Sequence, residues 1–213
     1  MLNNTSITIP KGLIVFVSGV PGVGKTTISY ELLRRYSQFR IIEETDLIRE
    51  ILRGYNDFLI NEFGDNITTF LKRIKITDHT QLLSYEDAKI QCSIMRCSIE
   101  HIISRQQRKG IPSIINGVHI IPEILCKMTD NNVIYINLFV TDPEVIRSRI
   151  FKRNPKSYML SHIPFIYQSN KDLLFYTRKI ELKQSNVYNI DVTNLNIDET
   201  IERIASYIKT IPL

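Results

Sequence analysis

Eight residues constrain this chain more than any others. Gly19-Val20-Pro21-Gly22-Val23-Gly24-Lys25-Thr26 reads as an unbroken G-x-x-x-x-G-K-T segment. The apolar run Leu13-Ile14-Val15-Phe16-Val17 leads into it, and a helix-compatible stretch leaves it at Thr27. A strand, a glycine-rich turn and a helix in that order form a phosphate cradle. Glycine lets the backbone wrap closely around an anion. The loop N–H groups and the following helix N-terminus then point at phosphate oxygens. The pattern assigns Gly19, Gly22, Val23, Gly24, Lys25, Thr26 and Thr27 to a nucleoside triphosphate. Lys25 supplies a mobile positive charge to the outer phosphates, and the Thr26 hydroxyl is placed to hold Mg²⁺. ATP and Mg²⁺ are the expected cofactors.

Downstream, apolar runs alternate with stretches of helical period. Strands are expected over 13–18, 40–44, 112–116, 133–140 and 187–192. Helices are expected over 25–37, 47–53 (stopped by Gly54), 84–109, 122–128, 143–153, 165–184 and 197–209, with a mostly helical stretch at 57–83. Ser84-Tyr85-Glu86-Asp87 looks like a capping box opening the long third helix. This alternation predicts an α/β fold of three layers, the phosphate-loop nucleoside-triphosphatase and kinase type. Its parallel five-stranded sheet carries helices on both faces. A helical lid is expected at about 147–183, within a single domain over 1–213. Such sheets bind ligands at the carboxyl ends of their strands.

The residues at those ends suggest chemistry. Asp46 follows the second strand and can accept a proton from an attacking hydroxyl or hold a water of Mg²⁺; it can equally cap the next helix. Arg49 lies one turn on and can face the same pocket, anchoring an anionic group of a substrate. Asn116-Gly117-Val118-His119 ends the third strand beside the phosphate loop. Asn116 stands where many such proteins carry an acid that helps orient Mg²⁺. Gly117 allows close approach of a substrate. His119 can donate to a carboxylate or phosphate, or can be a satisfied structural group. Arg147, Arg149 and Arg153 sit on the helix after the fourth strand. One of them, with Arg149 and Arg153 favoured as catalytic, is expected to meet the transferring phosphoryl group as charge spreads over its oxygens. Asp191-Val192-Thr193-Asn194 is placed to border an adenine.

Charge and cysteine usage narrow the class. The formal net charge is +5 over 213 residues. The excess is local: positions 147, 149, 152, 153, 156, 171, 178, 179 and 183 are all Lys or Arg, against Asp172 and Glu181. That stretch reads as an electrostatic funnel for anions or as a solvated helical surface. No apolar run approaches a membrane span, and Met1–Pro10 carries no Lys or Arg of a leader peptide. Cys92, Cys97 and Cys126 have no C-x-x-C spacing and suit reduced thiols. A cytoplasmic protein without membrane contact is expected, its oligomeric state open.

Four segments together are similar to the 2-phosphoglycerate kinases: Gly19–Thr26, Thr45-Asp46-Leu47-Ile48-Arg49-Glu50-Ile51-Leu52-Arg53, Ser84-Tyr85, and Ile115-Asn116-Gly117-Val118-His119-Ile120-Ile121-Pro122. That family has a phosphate loop, T-D-x-x-R-x-x-x-R, a serine–tyrosine pair and E-G-V-H-x-x-P in this order. The resemblance spans most of 13–155. It implies transfer of phosphate from ATP with Mg²⁺ to a hydroxyl of a small anionic metabolite such as 2-phosphoglycerate. It also implies Asp46 on the substrate side, with Arg49, Arg53, Gly117 and His119 as substrate contacts. Asn116 departs from the family pattern, which has Glu there. Alternatives are a kinase of a nucleotide, nucleotide sugar or nucleic-acid hydroxyl, zeta-toxin-like or polynucleotide-kinase-like, and a non-catalytic nucleotide-binding module. A basic stretch without an aromatic stacking repeat disfavours nucleic acid. A regulatory GTPase is disfavoured because Asn170-Lys171-Asp172 is one residue short of N-K-x-D.

Overall fold

The computed structural model describes residues 7–64, 81–125 and 132–210. Five strands form one parallel sheet: β1 (Ile14–Ser18), β2 (Ile41–Glu44), β3 (Ser113–Gly117), β4 (Val133–Phe139) and β5 (Val187–Asp191). Their order across the sheet is β2-β3-β1-β4-β5. β1 therefore lies at the centre, and the loop leaving it opens between β3 and β4. Register places Ser18 opposite both Gly117 and Asn137, and Glu44 opposite Asn116. The candidate residues of three strands thus end along one edge.

Helices cover both faces. They are α1 (Lys25–Arg35), α2 (Thr45–Phe63), α3 (Tyr85–Arg108), α4 (Pro122–Leu125), α5 (Pro143–Arg153), α6 (Ile163–Glu181) and α7 (Ile197–Thr210), with a short 3₁₀ turn at Tyr158–His162. Every residue of β1, β3 and β4 is buried, as expected of a parallel sheet covered on both sides. Successive side chains feed two separate cores. Val15, Val17, Ile134, Ile136 and Leu138 pack against α1, α5 and α7. Ile14, Phe16, Val133 and Tyr135 pack against α2 and α3, with the Phe16 and Tyr135 rings stacked at 4.6 Å.

The capping box forms as the sequence predicts: Asp87 N donates to Ser84 Oγ and Ser84 N donates back to the Asp87 carboxylate. The expected break at Gly54 does not occur, since α2 runs unbroken to Phe63. A glycine inside a helix costs about 1 kcal/mol relative to alanine. Packing of Ile48 and Leu52 against the second core outweighs it. The 3₁₀ turn falls between the helices expected over 143–153 and 165–184, and α6 begins at Ile163 with Pro164 in its first turn, where a missing N–H costs nothing. Positions 65–80 of the helical stretch expected at 57–83, and the end of the helix expected over 122–128, lie outside the described residues.

α6 is tied to the sheet by polar side chains as well as apolar ones. Asn170 pairs with the backbone of Val140 in both directions, at 2.8 and 3.3 Å. Further along, Thr177, Asn137 and Asn189 share buried hydrogen bonds of 2.6–3.2 Å, and Glu181 accepts from Asn189.

Candidate active site

The phosphate loop joins β1 to α1. Gly24 caps α1 at φ 105°, and no side chain accepts from the first turn. A left-handed φ here requires glycine, and the uncapped N–H groups stay available to an anion. No acidic residue occupies the first turn of α1, while Arg34 and Arg35 close its last turn, so the helix dipole is left open at the loop end. Lys25 folds back to donate to Val20 O at 3.0 Å. Burial is the largest influence on its ammonium and lowers its pKa to about 8, with Asp46 and Glu44 pulling the other way and Arg153 adding to the fall. A polyphosphate would reverse that shift by supplying negative charge.

An open cleft of about 940 Å³ runs along this loop. Gly22, Val23, Gly24, Lys25, Thr26 and Thr27 line it on one side, and Arg149, Lys152 and Arg153 on the other. Val192, Leu195 and Asn196 close its far end, beside the segment expected to border an adenine. Arg149 and Arg153 have different surroundings. Arg149 donates to Val23 O at 2.9 Å and to Val192 O at 2.7 Å, clamping the loop to the end of β5. Arg153 stands close enough to Lys25 to disfavour its charge. Four others of the basic stretch are engaged elsewhere. Arg147 pairs with Glu144 at 3.1 Å, Lys171 lies over Tyr167, Arg178 over Phe139 and Lys179 over Phe175.

Across Asp46 lies a second, narrower cavity of about 100 Å³. Its walls come from the phosphate loop, the start of α2, residues 81–88, the end of β3, the 3₁₀ turn and α6. Asp46 lines both cavities and its side chain is 59% exposed. The position before α2 is Glu44, and no side chain caps that helix, so the Asp46 carboxylate is not consumed in capping.

Arg49 lines the second cavity yet is only 2% exposed. Its guanidinium lies 3.3 Å from His119 Nε2, 3.4 Å from Glu50 Oε1 and 3.6 Å from Asp46 Oδ1. Those separations exceed the 2.7–2.9 Å typical of charge-assisted hydrogen bonds. The guanidinium is surrounded but not saturated. His119 is fully buried behind it and lines neither cavity. Burial chiefly, then Arg49 and Lys25, lower its pKa to about 4, against the pull of Asp46. The ring is neutral at physiological pH. Arginine can only donate, so Nε2 accepts from Arg49 and Nδ1 carries the proton, directed at Thr45 Oγ1 3.0 Å away. Gly117 makes room for that arrangement: a Cβ there would meet Thr45 Cβ at 2.8 Å.

The structure therefore brings Lys25, Thr26, Asp46, Arg49 and Gly117 to one edge, with His119 held behind Arg49. Arg53 is turned away, donating to Glu50 at 2.7 Å and lining neither cavity. Asn116 is 3% exposed in the cleft wall, its amide nitrogen without a hydrogen-bond partner among the described residues. Sequence reasoning missed the apolar wall of the second cavity, above all Leu83, Met159, Phe165 and Leu173. Only the Ser84-Tyr85 pair marked that neighbourhood.

No family model matches the chain. It is 30% identical over 204 residues to 2-phosphoglycerate kinase of Pyrococcus horikoshii, covering 90% of this chain and 62% of that protein. It is 26% identical over 157 residues to mevalonate-3-phosphate 5-kinase of Thermoplasma acidophilum, covering 70% of this chain and 76% of that one. The chain thus spans about three fifths of the length of the 2-phosphoglycerate kinases it matches. Among solved structures, a sugar kinase from Janibacter sp. HTCC2649 aligns with a TM-score of 0.55 at 19% identity, covering 94% of this chain and 96% of that chain. The resemblance to 2-phosphoglycerate kinases extends along most of the sequence, and the fold is that of the phosphate-loop kinases. Among the described residues no helix is long and apolar enough to cross a membrane.

Proposed function

We propose that the chain is an ATP-dependent kinase that phosphorylates a hydroxyl of a small anionic metabolite. One observation carries the reading: Asp46 stands in the wall shared by the phosphate-loop cleft and the second cavity. A nucleotide in the cleft presents its outer phosphate toward that wall, and an acceptor in the cavity presents its hydroxyl from the other side. The hydroxyl oxygen forms the new bond to phosphorus, its proton passes to the Asp46 carboxylate, and ADP leaves with the electrons of the broken bond. Lys25 follows the phosphoryl group, and Arg153 meets its developing charge from the lid side. Arg149 acts from further back, fixing the loop against β5. Arg49 anchors the acceptor's anionic group, and His119 holds the guanidinium in place. Closure of the 147–183 lid excludes water and prevents futile hydrolysis.

The residues present suit a magnesium ion. Thr26 supplies a hydroxyl and Glu44 a carboxylate on the cleft wall. Mg²⁺ takes hard oxygen ligands, usually one or two from protein with the rest from phosphates and water. Among the described residues no cluster of three His, Cys, Asp or Glu would hold a metal without such help. When bound, the ion would neutralise charge on the β- and γ-phosphates. Asn116 is neutral, and its buried amide suits donation to a phosphate oxygen.

The names of the relatives select the first acceptors to try. The test is transfer from labelled ATP to 2-phosphoglycerate, mevalonate 3-phosphate, nucleosides, nucleotide sugars and oligonucleotides, with Lys25→Ala as control. Label in a metabolite, lost in the control, is expected. Label only in nucleosides or oligonucleotides would move the protein to another kinase class, and ATP binding without transfer to any acceptor would leave a binding module.

A further inference from the structure

Asn116 lies near the end of β3 in the wall of the phosphate-loop cleft. It is 3% exposed, and its amide nitrogen has no hydrogen-bond partner among the described residues. A buried donor left unpaired is costly to the empty protein. A ligand that supplies an acceptor removes that cost, and the sheet order shows which part of a nucleotide reaches it. The cleft runs from Asp46, Asn116 and Gly117 past the phosphate loop to Val192, Leu195 and Asn196. β1, which delivers the loop, lies between β3 and β4, with β5 beyond β4. A nucleotide with its base toward the end of β5 extends its phosphates across β1 toward the end of β3. Its last phosphate therefore meets Asn116, and its base and sugar lie on the other side of the loop. Charge accounts for an amide at this place. Glu44 is the register neighbour of Asn116 on β2 and lines the same cleft. Its carboxylate is close enough to favour the charge on Lys25. Like charges on adjacent strands repel each other, and a second carboxylate would also repel the phosphate. With Glu44 carrying the acid on β2, position 116 is free to donate.

We infer that Asn116 reads the outermost phosphate of the nucleotide: its amide donates directly to an oxygen of that phosphate and so separates ATP from ADP. The inference rests on the kinase reading for the nucleotide in the cleft. It adds to that reading a specificity residue outside the phosphate loop, and a contact with the phosphate that needs no metal ion.

The test is calorimetry with a non-hydrolysable ATP analogue and with ADP, each in Mg²⁺ and in EDTA. It compares the wild-type chain with Asn116→Ala and Asn116→Asp, and transfer from ATP is measured separately. Asn116→Ala should weaken the ATP analogue about tenfold in both conditions and ADP by less than about twofold. Melting of the ligand-free protein should not fall, because the amide nitrogen bonds nothing there. A residue kept for structure would do the opposite, losing melting temperature and keeping the ratio of ATP to ADP affinity. Asn116→Asp keeps the size and replaces the donor by a negative charge. It should weaken the ATP analogue further than alanine in EDTA and regain part of the loss in Mg²⁺. The ratio of two affinities on the same folded protein decides the matter even if a variant is less stable. An unchanged ratio in both variants, or equal loss for both nucleotides, overturns the assignment. The two readings fail differently. A ratio that collapses in a protein that phosphorylates no acceptor would sink the kinase and keep the phosphate contact. Transfer by the wild-type chain with an unchanged ratio in the variants would do the reverse, and no affinity for either nucleotide would overturn both.

Discussion

The two halves of the site are built by different physics. The donor half is eight consecutive residues, and its binding groups are backbone N–H groups, one lysine and one hydroxyl. The strand and helix it joins set most of its shape, and Arg149 ties Val23 to the end of β5. The acceptor half draws on segments from position 19 to position 173, and its only described cation is buried and held from behind by a histidine in the turn after β3. Local chemistry recurs wherever its octapeptide recurs. A cavity assembled from separated segments can change its occupant while the octapeptide stays the same, which fits a chain similar to kinases named for two different metabolites.

Four measurements would break or sharpen that contrast. The largest effect should come from the residue shared by both halves. Asp46→Asn keeps shape and removes the base, and turnover should fall about 10²–10⁴-fold with ATP affinity nearly intact; turnover near wild type would end the base assignment. Lys25→Ala should slow phosphoryl transfer about 10²–10³-fold and weaken ATP while sparing acceptor binding. If it weakened the acceptor equally, the two halves would not be separable. Arg49→Lys loses the planar fork but keeps the charge, so acceptor KM should rise about tenfold with ATP KM unchanged. An unmoved acceptor KM would take Arg49 out of the acceptor half.

The smallest effect is in pH. Lys25 in the empty loop titrates at about 8, and polyphosphate stabilises its charged form, raising that value in the complex. ATP affinity is then full below pH 8. It falls as pH rises above 8, at most tenfold per unit, until the pKa of the complex is passed. Binding at pH 9 should take up a proton, visible as a heat that changes between buffers of different ionisation enthalpy. No buffer dependence would mean that Lys25 stays charged in the empty loop.

Legibility followed the same division. The phosphate loop, the capping box at Ser84 and the parallel strands were readable because each is set by neighbours in sequence. Gly54 misled because a helix-breaking preference worth about 1 kcal/mol is overruled by burial of Ile48 and Leu52, which a linear reading does not see. Arg53 and Arg49 look alike in the sequence, four residues apart on one helix. Only packing distinguishes them: Arg49 goes under the cavity floor against His119, whereas Arg53 pairs with Glu50 near the surface. His119 was legible as a candidate but not as a buried neutral group, since its ionisation is set by desolvation.

By itself, then, the sequence determined the fold class and singled out the phosphate loop and Asp46, the carboxylate that lines both cavities. These follow from short-range rules: the period of apolar residues, the φ freedom of glycine and the orphan N–H groups of a helix start. Tertiary structure alone decided which arginine lines the second cavity, which basic residues are tied to aromatic rings, and that leucines and Phe165 contribute to that cavity's wall. Those depend on side chains far apart in the chain meeting across α2, α3, α6 and the end of β3, and no local preference encodes such a meeting.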